Sequence, residues 1–422
     1  MLKQTGRVLL AVLCLILSAY GPAQAGFKGE LDLEGSHSSN AGNSLDAALG
    51  EQNHWDQDLK VRLMWSGALG SGWRLETAYL AEERYGGGVV LARGLKALDP
   101  FFSIDPAKTS LMDLSHTFTD NGQTYVSQRI DRLSLGYSSS HLVLRIGRQA
   151  LTWGGGLVFH PMDLFNPFPP DATYTTYKPG TDMLYGQWLF DSGADLQGVV
   201  VPRRDPNTGN LASDQSSAGL KWHGFLGQNQ QFGLDLLLAQ DYQAQILGIG
   251  VSGALGGAAW TAEVLPMRLD GGDVHASLLA NVQYAWTWDE KSFSGYLEYF
   301  HNGLGVSETE PTLIDLPAPL ADRLARGELF TVSQNYLGAG IDLQWTPLLD
   351  LKPLLICNLD DGSALFFGQA VYSLSQNTTL TLGLQWGLGA DGTEYGGLET
   401  APGSGIFATP ARLIYARYTW YM

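Results

Sequence analysis

Two sets of side chains in this 422-residue chain could do chemistry. The first is compact: His37, Ser39, Asn40 and Glu51. Glu51 would orient His37, His37 would take the proton of the Ser39 hydroxyl, and Asn40 would help hold an oxyanion. The second set is dispersed: Arg62, Arg74, Arg132, Arg145, Arg148, Asp235, Glu298 and Asp342, with Trp153 and Asp163, in a Gly- and Pro-rich stretch, expected in a loop at the constriction. Such residues make no single catalytic centre, but on one face of a curved sheet they would line a polar conduit. None of the eight histidines has another at three or four residues' spacing, and neither a Gly-x-Ser-x-Gly elbow nor a phosphate-binding glycine loop occurs. The sequence therefore calls for no metal, no cofactor and no enzymatic activity, with the first set left as a chance match in loop composition.

Composition narrows what could position these groups. Charged residues make up only 16 % of the chain and hydrophobic ones 45 %, with 52 glycines, 12 tryptophans and 18 tyrosines. A soluble enzyme of this length carries nearer a quarter charged residues. The net charge of -17 excludes nucleic-acid binding through a basic surface. Two cysteines, Cys14 and Cys357, exclude a disulfide or zinc scaffold.

Lys3 and Arg7 precede an apolar run from Val8 to about Ala19, and Ala23-Gln24-Ala25 supplies the small residues a signal peptidase reads. Residues 1–25 are expected to be a cleaved signal peptide, because the run falls short of the roughly 20 residues a spanning helix needs. Without them, 23 bases face 42 acids.

Residues 26–422 alternate with period two. Leu59, Val61, Leu63 and Trp65 interleave with Lys60, Arg62 and Met64, and the same alternation recurs at Leu133, Leu135, Tyr137; at Leu142, Leu144, Ile146; at Phe232 to Leu238; and at Leu380 to Trp386. Connections between these strands alternate in length. Tight turns near Ser66–Gly72, Ser138–Ser140, Asp191–Ala194 and Asp289–Lys291 trade places with long segments near Gly86–Thr124, Trp153–Thr181, Asn302–Ser333 and Asp391–Thr409. Short turns on one side and long loops on the other predict an all-β, transmembrane, antiparallel up-and-down barrel of about 18 strands with long extracellular loops. Leu316 to Phe330 reads as a short helix inside an exposed loop.

Parity places Glu30, Asp32, Glu34, Lys60, Arg62, Arg74, Glu76, Arg132, Arg145, Lys221, Asp235, Glu298, Asp342 and Arg417 on the wet face, seven acids against seven bases. Bases crowd the early strands and Asp235, Glu298 and Asp342 the later ones, which would set a field across the lumen. Arg148 has the parity of the lipid-facing Ile146. A bulge at Gly147 would turn it inward, and Asp163 is a candidate partner for it.

The final strand, with Ile414, Ala416, Tyr418, Trp420 and Met422 on one parity, resembles the terminal strand of bacterial outer-membrane proteins, which the barrel-assembly machinery reads. Met422 departs from their usual terminal phenylalanine. Arg145-Ile146-Gly147-Arg148-Gln149, Trp153-Gly154-Gly155-Gly156 and Pro161 to Pro167 resemble proteobacterial porin-like and alginate-export-like barrels over roughly Arg129 to Pro170. That resemblance implies an outer-membrane channel passing a small polar or amphiphilic solute passively, or an export component with a periplasmic partner. The His-x-Ser-Asn segment at His37 is similar to that of lipid A 3-O-deacylases, which are smaller barrels with the motif late in the chain. Expected partners are outer-membrane lipid and lipopolysaccharide, the assembly machinery, a small-molecule solute and a possible second copy of the chain, with no nucleic acid.

Overall fold

The computed structural model describes residues 26–98, 106–165, 167, 177–227, 230–307 and 311–422. The proposed signal peptide lies outside them. Strands alternate with connections in chain order: β1 (Phe27–Ser39), β2 (Asn53–Gly70), β3 (Trp73–Gly86), β4 (Ser115–Asn121), β5 (Thr124–Ser138), β6 (Leu142–Gln149), β7 (Thr181–Leu189), β8 (Asp195–Arg204), β9 (Leu211–Leu226) and β10 (Phe232–Asp241). There follow β11 (Ala244–Leu255), β12 (Ala258–Arg268), β13 (Val274–Trp288), β14 (Lys291–His301), β15 (Asn335–Thr346), β16 (Leu349–Asn358), β17 (Ala364–Ser375), β18 (Thr378–Leu388), β19 (Leu398–Glu399), β20 (Phe407–Ala408) and β21 (Arg412–Tyr421). Every neighbouring pair is antiparallel, and β1 pairs with both β2 and β21, so the sheet closes on itself. Nineteen strands share the sheet; β4 pairs only with β5, so eighteen form the ring. Closure removes the long free edges that an open sheet would present, leaving only the short β4 of this sheet unpaired on one side.

The turn chemistry explains why one end is compact. Gly256 and Gly257 at one hairpin and Asp289 and Glu290 at another all adopt positive φ, from 49° to 87°. Two consecutive residues of that kind make the turn whose twist matches its flanking strands. At the other end the connections are longer and carry their own structure. The span between β3 and β5 holds a helix at Gly87–Leu98 and strand β4, and that between β14 and β15 holds a helix at Ala318–Ala325. The latter helix is not an exposed feature: Leu320 and Arg323 are buried, and Arg323 pairs with Asp241 at 3.2 Å.

The outer wall is apolar and bare. Ile146, Leu184, Leu220, Leu238, Leu382 and Ile414, on six different strands, are all large hydrophobics left exposed. Nine of the twelve tryptophans, Trp65, Trp73, Trp188, Trp222, Trp260, Trp286, Trp288, Trp345 and Trp420, lie within five residues of the compact end of their strands. An apolar band bordered by an aromatic girdle is what a barrel presents to a bilayer and its interface. No helix among the described residues is long and apolar enough to cross a membrane.

Candidate functional site

The connection between β6 and β7 does not stay at the rim; it turns into the barrel and crosses it. Its anchors are carboxylates on the far wall. Glu298 on β14 accepts the backbone N–H groups of Leu157, Val158 and Phe159 at 2.7, 2.8 and 2.7 Å, and the Nδ2 of Asn281 at 2.9 Å. Glu263 on β12 accepts the N–H of Gly155 at 2.6 Å. Three successive N–H groups thus converge on one carboxylate, as at a backbone anion nest, and the glycine beside them lets the backbone approach the wall, where a Cβ on Gly155 would meet Thr261 at 2.9 Å.

Apolar packing secures the rest of the crossing. Trp153, Met162, Leu164 and Phe165 pack with Tyr185, Val199, Leu237 and Leu265 of the wall. Val158 and Phe159 pack with Leu279, Phe300, Tyr336 and Ile356, the Phe159 and Phe300 rings stacked at 4.8 Å. The wall makes room: a Cβ on Gly219 would meet the Trp153 ring at 3.1 Å. The loop closes on its own ion pair, Lys178 Nζ lying 2.6 Å from both Asp163 oxygens and donating at 2.5 Å to the Leu151 carbonyl. Burial pushes the Asp163 carboxyl up and the Lys178 ammonium down from their ordinary pKa values, and their mutual attraction opposes both shifts.

The sequence-derived positions fall into three groups. Arg62 and Arg132 meet in a cluster around Asp131 on the inner face of β2 and β5; Arg62 bonds Asp131 and stands over the Tyr177 ring at 4.3 Å, and Arg132 lies 2.8 Å from Asp131. Arg145 lies over the Tyr185 ring at 4.6 Å, and Arg74 sits at the compact end, donating to Ser66 at 3.3 Å. Asp235 is paired with Lys221 at 3.2 Å and His223 at 2.9 Å, while Asp342 is more than half exposed and 4.0 Å from Lys352.

Three expectations need correction. Glu298 is fully buried beneath the loop and works as its anchor instead of facing a water-filled track. Arg148 is buried against Asp182, at 2.7 Å, so Asp163 is not its partner. The β5–β6 and β6–β7 registers also run through Gly147 without a shift; the irregularity falls in β5, where Asp131 is the extra residue opposite Ala78 and Tyr79. Trp153 is buried in the loop's own core, its Nε1 donating to Gln197 at 2.7 Å, and Asp163 ties the loop to itself.

Above the crossing loop, a cavity of about 820 Å³ opens toward the long-loop end. Arg84, Lys96, Arg129 and Arg203 line it together with Asp58, Glu82, Asp120 and Asp131. It is a vestibule with mixed charge.

No family model matches the chain, and no curated protein matches it either. Among solved structures, a BenF-like porin from Pseudomonas fluorescens Pf-5 is 9 % identical over 94 % of this chain and 98 % of its own, with a TM-score of 0.51. The outer membrane protein opdK from Pseudomonas aeruginosa is 10 % identical over 94 % and 98 %, and Acinetobacter baumannii OccAB2 is 9 % identical over 94 % and 97 %, both with a TM-score of 0.49. The barrel has the fold of a bacterial porin.

In this porin fold the His37 set does not assemble. His37 Nδ1 faces the His54 carbonyl at 3.0 Å and its ring stacks on Trp55, while Ser39 donates to Asn53 at 2.7 Å. Neither bond joins His37 to Ser39. No group of three or more metal-ligating side chains occurs among the described residues. The sequence reading missed Glu263, Lys178 and Asp182. Parity on β12, where Trp260, Ala262 and Val264 face out, could have found Glu263; the other two lie in or beside a loop, where period two carries no signal.

Proposed function

We propose that residues 26–422 form an outer-membrane channel through which a small polar or amphiphilic solute diffuses passively, residues 1–25 being removed on export. What supports this most is the combination of a bare apolar exterior with a polar interior narrowed by one inward-folded, multiply anchored loop. Short turns would then face the periplasm and long loops the outside. Passage would lie beside the loop, past Arg145, with Arg74 below it and Asp235 and Asp342 across the lumen, while Arg62 and Arg132 carry the loop's return through the Tyr177 ring and the Lys178 carbonyl. Charges held on low-dielectric walls focus the field and sort solutes by sign.

A liposome-swelling series with neutral, anionic and cationic solutes of equal size tests the reading. Swelling that depends on size and sign supports it; folded protein that admits none of them refutes it. Arg74→Ala with Arg145→Ala should shift the reversal potential in a salt gradient toward cation preference, and an unchanged value removes these residues from the track. The alginate-export-like look of Arg129 to Pro170 supports a second reading, an export component. It requires a periplasmic partner that co-purifies from solubilised membranes.

A further inference from the structure

The barrel wall is incomplete at one place. β6 and β7 are the shortest strands of the ring, at 8 and 9 residues. The β7–β8 ladder stops at Leu184 opposite Val200, although β7 starts at Thr181 and β8 continues to Arg204. The interval between those two ends is occupied by the segment Ser110–Met112. Ser110 forms a single antiparallel bridge with Arg203. The Met112 N–H donates to Asp182 at 2.8 Å, its carbonyl accepts from Arg148 at 2.6 Å, and the Leu111 carbonyl accepts Nε and Nη2 of Arg204 at 3.1 and 3.0 Å. A stopper held by an isolated bridge and by side-chain contacts is easier to displace than a strand held by a full ladder.

Space lies on both sides of this stopper. Inside, the 820 Å³ vestibule reaches Ser110, Asp182 and Arg203. On the outer face, a groove of about 910 Å³ begins one row lower, at Leu184 and Val200. Gly186, Gly198 and Ala218 are among its smallest lining residues, and Leu144, Leu220 and Leu238 among its largest. Those small residues leave a trough that hydrocarbon fills without a polar cost.

Charge at the stopper indicates what would use it. Two guanidiniums, Arg148 and Arg204, hold the stopper's carbonyls; Arg148 is paired with Asp182, and among the described residues no carboxylate pairs with Arg204. Arg203 donates to the Gln215 carbonyl at 3.2 Å and to the Ser217 hydroxyl, and Arg204 donates to carbonyls alone. We propose that the interval between β7 and β8 is a lateral portal through which a single-chain anionic amphiphile passes between the lumen and the hydrocarbon, its tail in the outer groove and its head group on Arg204. The proposal rests on the channel reading, since the lumen must be open to the solute.

The test uses proteoliposomes and decanesulfonate, which stays ionised and so does not cross the bilayer unaided. Ser110→Cys with Arg203→Cys, in a Cys357→Ser background, places two thiols at a bridged pair. The oxidised and reduced forms of that one protein are compared. A second variant, Gly186→Leu with Gly198→Leu, fills the outer groove without altering the stopper; the added side chains would displace only the flexible ends of Leu144 and Leu220. Single-channel conductance in the same preparations reports the lumen separately. Wild-type uptake of decanesulfonate should exceed that of decyltrimethylammonium at least tenfold; in the dithiol variant it should fall at least tenfold on oxidation and return on reduction, and in the groove-filled variant it should fall likewise. Equal uptake by oxidised and reduced protein, with conductance retained, overturns the portal and leaves the channel standing. Loss of conductance already in wild-type protein overturns the channel reading instead.

Discussion

Glu298 offers the sharpest perturbation, because one carboxylate on the wall holds the tip of the loop that narrows the lumen. It accepts four hydrogen bonds at 2.7 to 2.9 Å and has no exposed surface. In Glu298→Ala, the N–H groups of Leu157, Val158 and Phe159 lose their acceptor. Each buried donor left unsatisfied costs about 1–3 kcal/mol. Water entering the vacated space would recover part of that, so the tip should be destabilised by roughly 3–6 kcal/mol. The stacking of Phe159 on Phe300 is worth only about 0.5–1.5 kcal/mol beyond burial and does not make up the difference. Glu298→Gln keeps one acceptor oxygen and should lie about midway. In planar-bilayer recordings, alanine should raise mean conductance at least twofold and add open-channel noise, with glutamine intermediate. A folded alanine variant with wild-type conductance and quiet traces would show that the tip is held by something else.

Three further outcomes follow from the same geometry. Asp163→Asn leaves Lys178 buried without a counter-charge, which costs about 3–5 kcal/mol; limited proteolysis should then cut the loop, and Asp163→Leu with Lys178→Met should restore much of the resistance. Glu394, between β18 and β21, accepts from Val332 N–H at 2.9 Å, from Asn358 Nδ2 at 2.8 Å and from the Tyr336 hydroxyl, and so ties long connections together. Burial, with no cation beside it, raises its pKa from 4.5 to about 7, so the tie is strongest below 4.5 and loses up to roughly 3 kcal/mol as pH rises to 7. Amide exchange at Val332 should therefore quicken over that interval in the wild type, and Glu394→Gln should flatten the dependence; equal pH profiles would count against this assignment. Finally, Gly219→Leu should drive the Trp153 ring off the wall and break its bond to Gln197, read as a red-shifted, quenchable tryptophan emission; an unshifted spectrum would mean that the ring does not lie there.

The barrel was legible because its causes are local and periodic. Alternation at Leu59 to Trp65 and at Leu380 to Trp386, together with turns such as Asp289–Glu290, defines strand faces and strand ends without any knowledge of partners. The site was less legible for the opposite reason. Glu298 has the inward parity expected of it, but only the three-dimensional path of Gly155 to Phe159 turns a lumen charge into an anchor. Arg148 met Asp182, which its own strand parity could not disclose, because the two lie 34 residues apart and the intervening loop hides their adjacency. The bulge at Asp131 likewise carries no glycine to announce it, whereas Gly147 suggested one that does not exist.

The central claim is that water runs through this cylinder while hydrocarbon surrounds it. The direct measurement is the current through purified protein, confirmed as folded, in a planar bilayer with symmetric potassium chloride. Discrete, ohmic conductance steps whose size scales with bulk salt conductivity are predicted. Inserted, folded protein that never passes current at any salt or voltage would contradict the account.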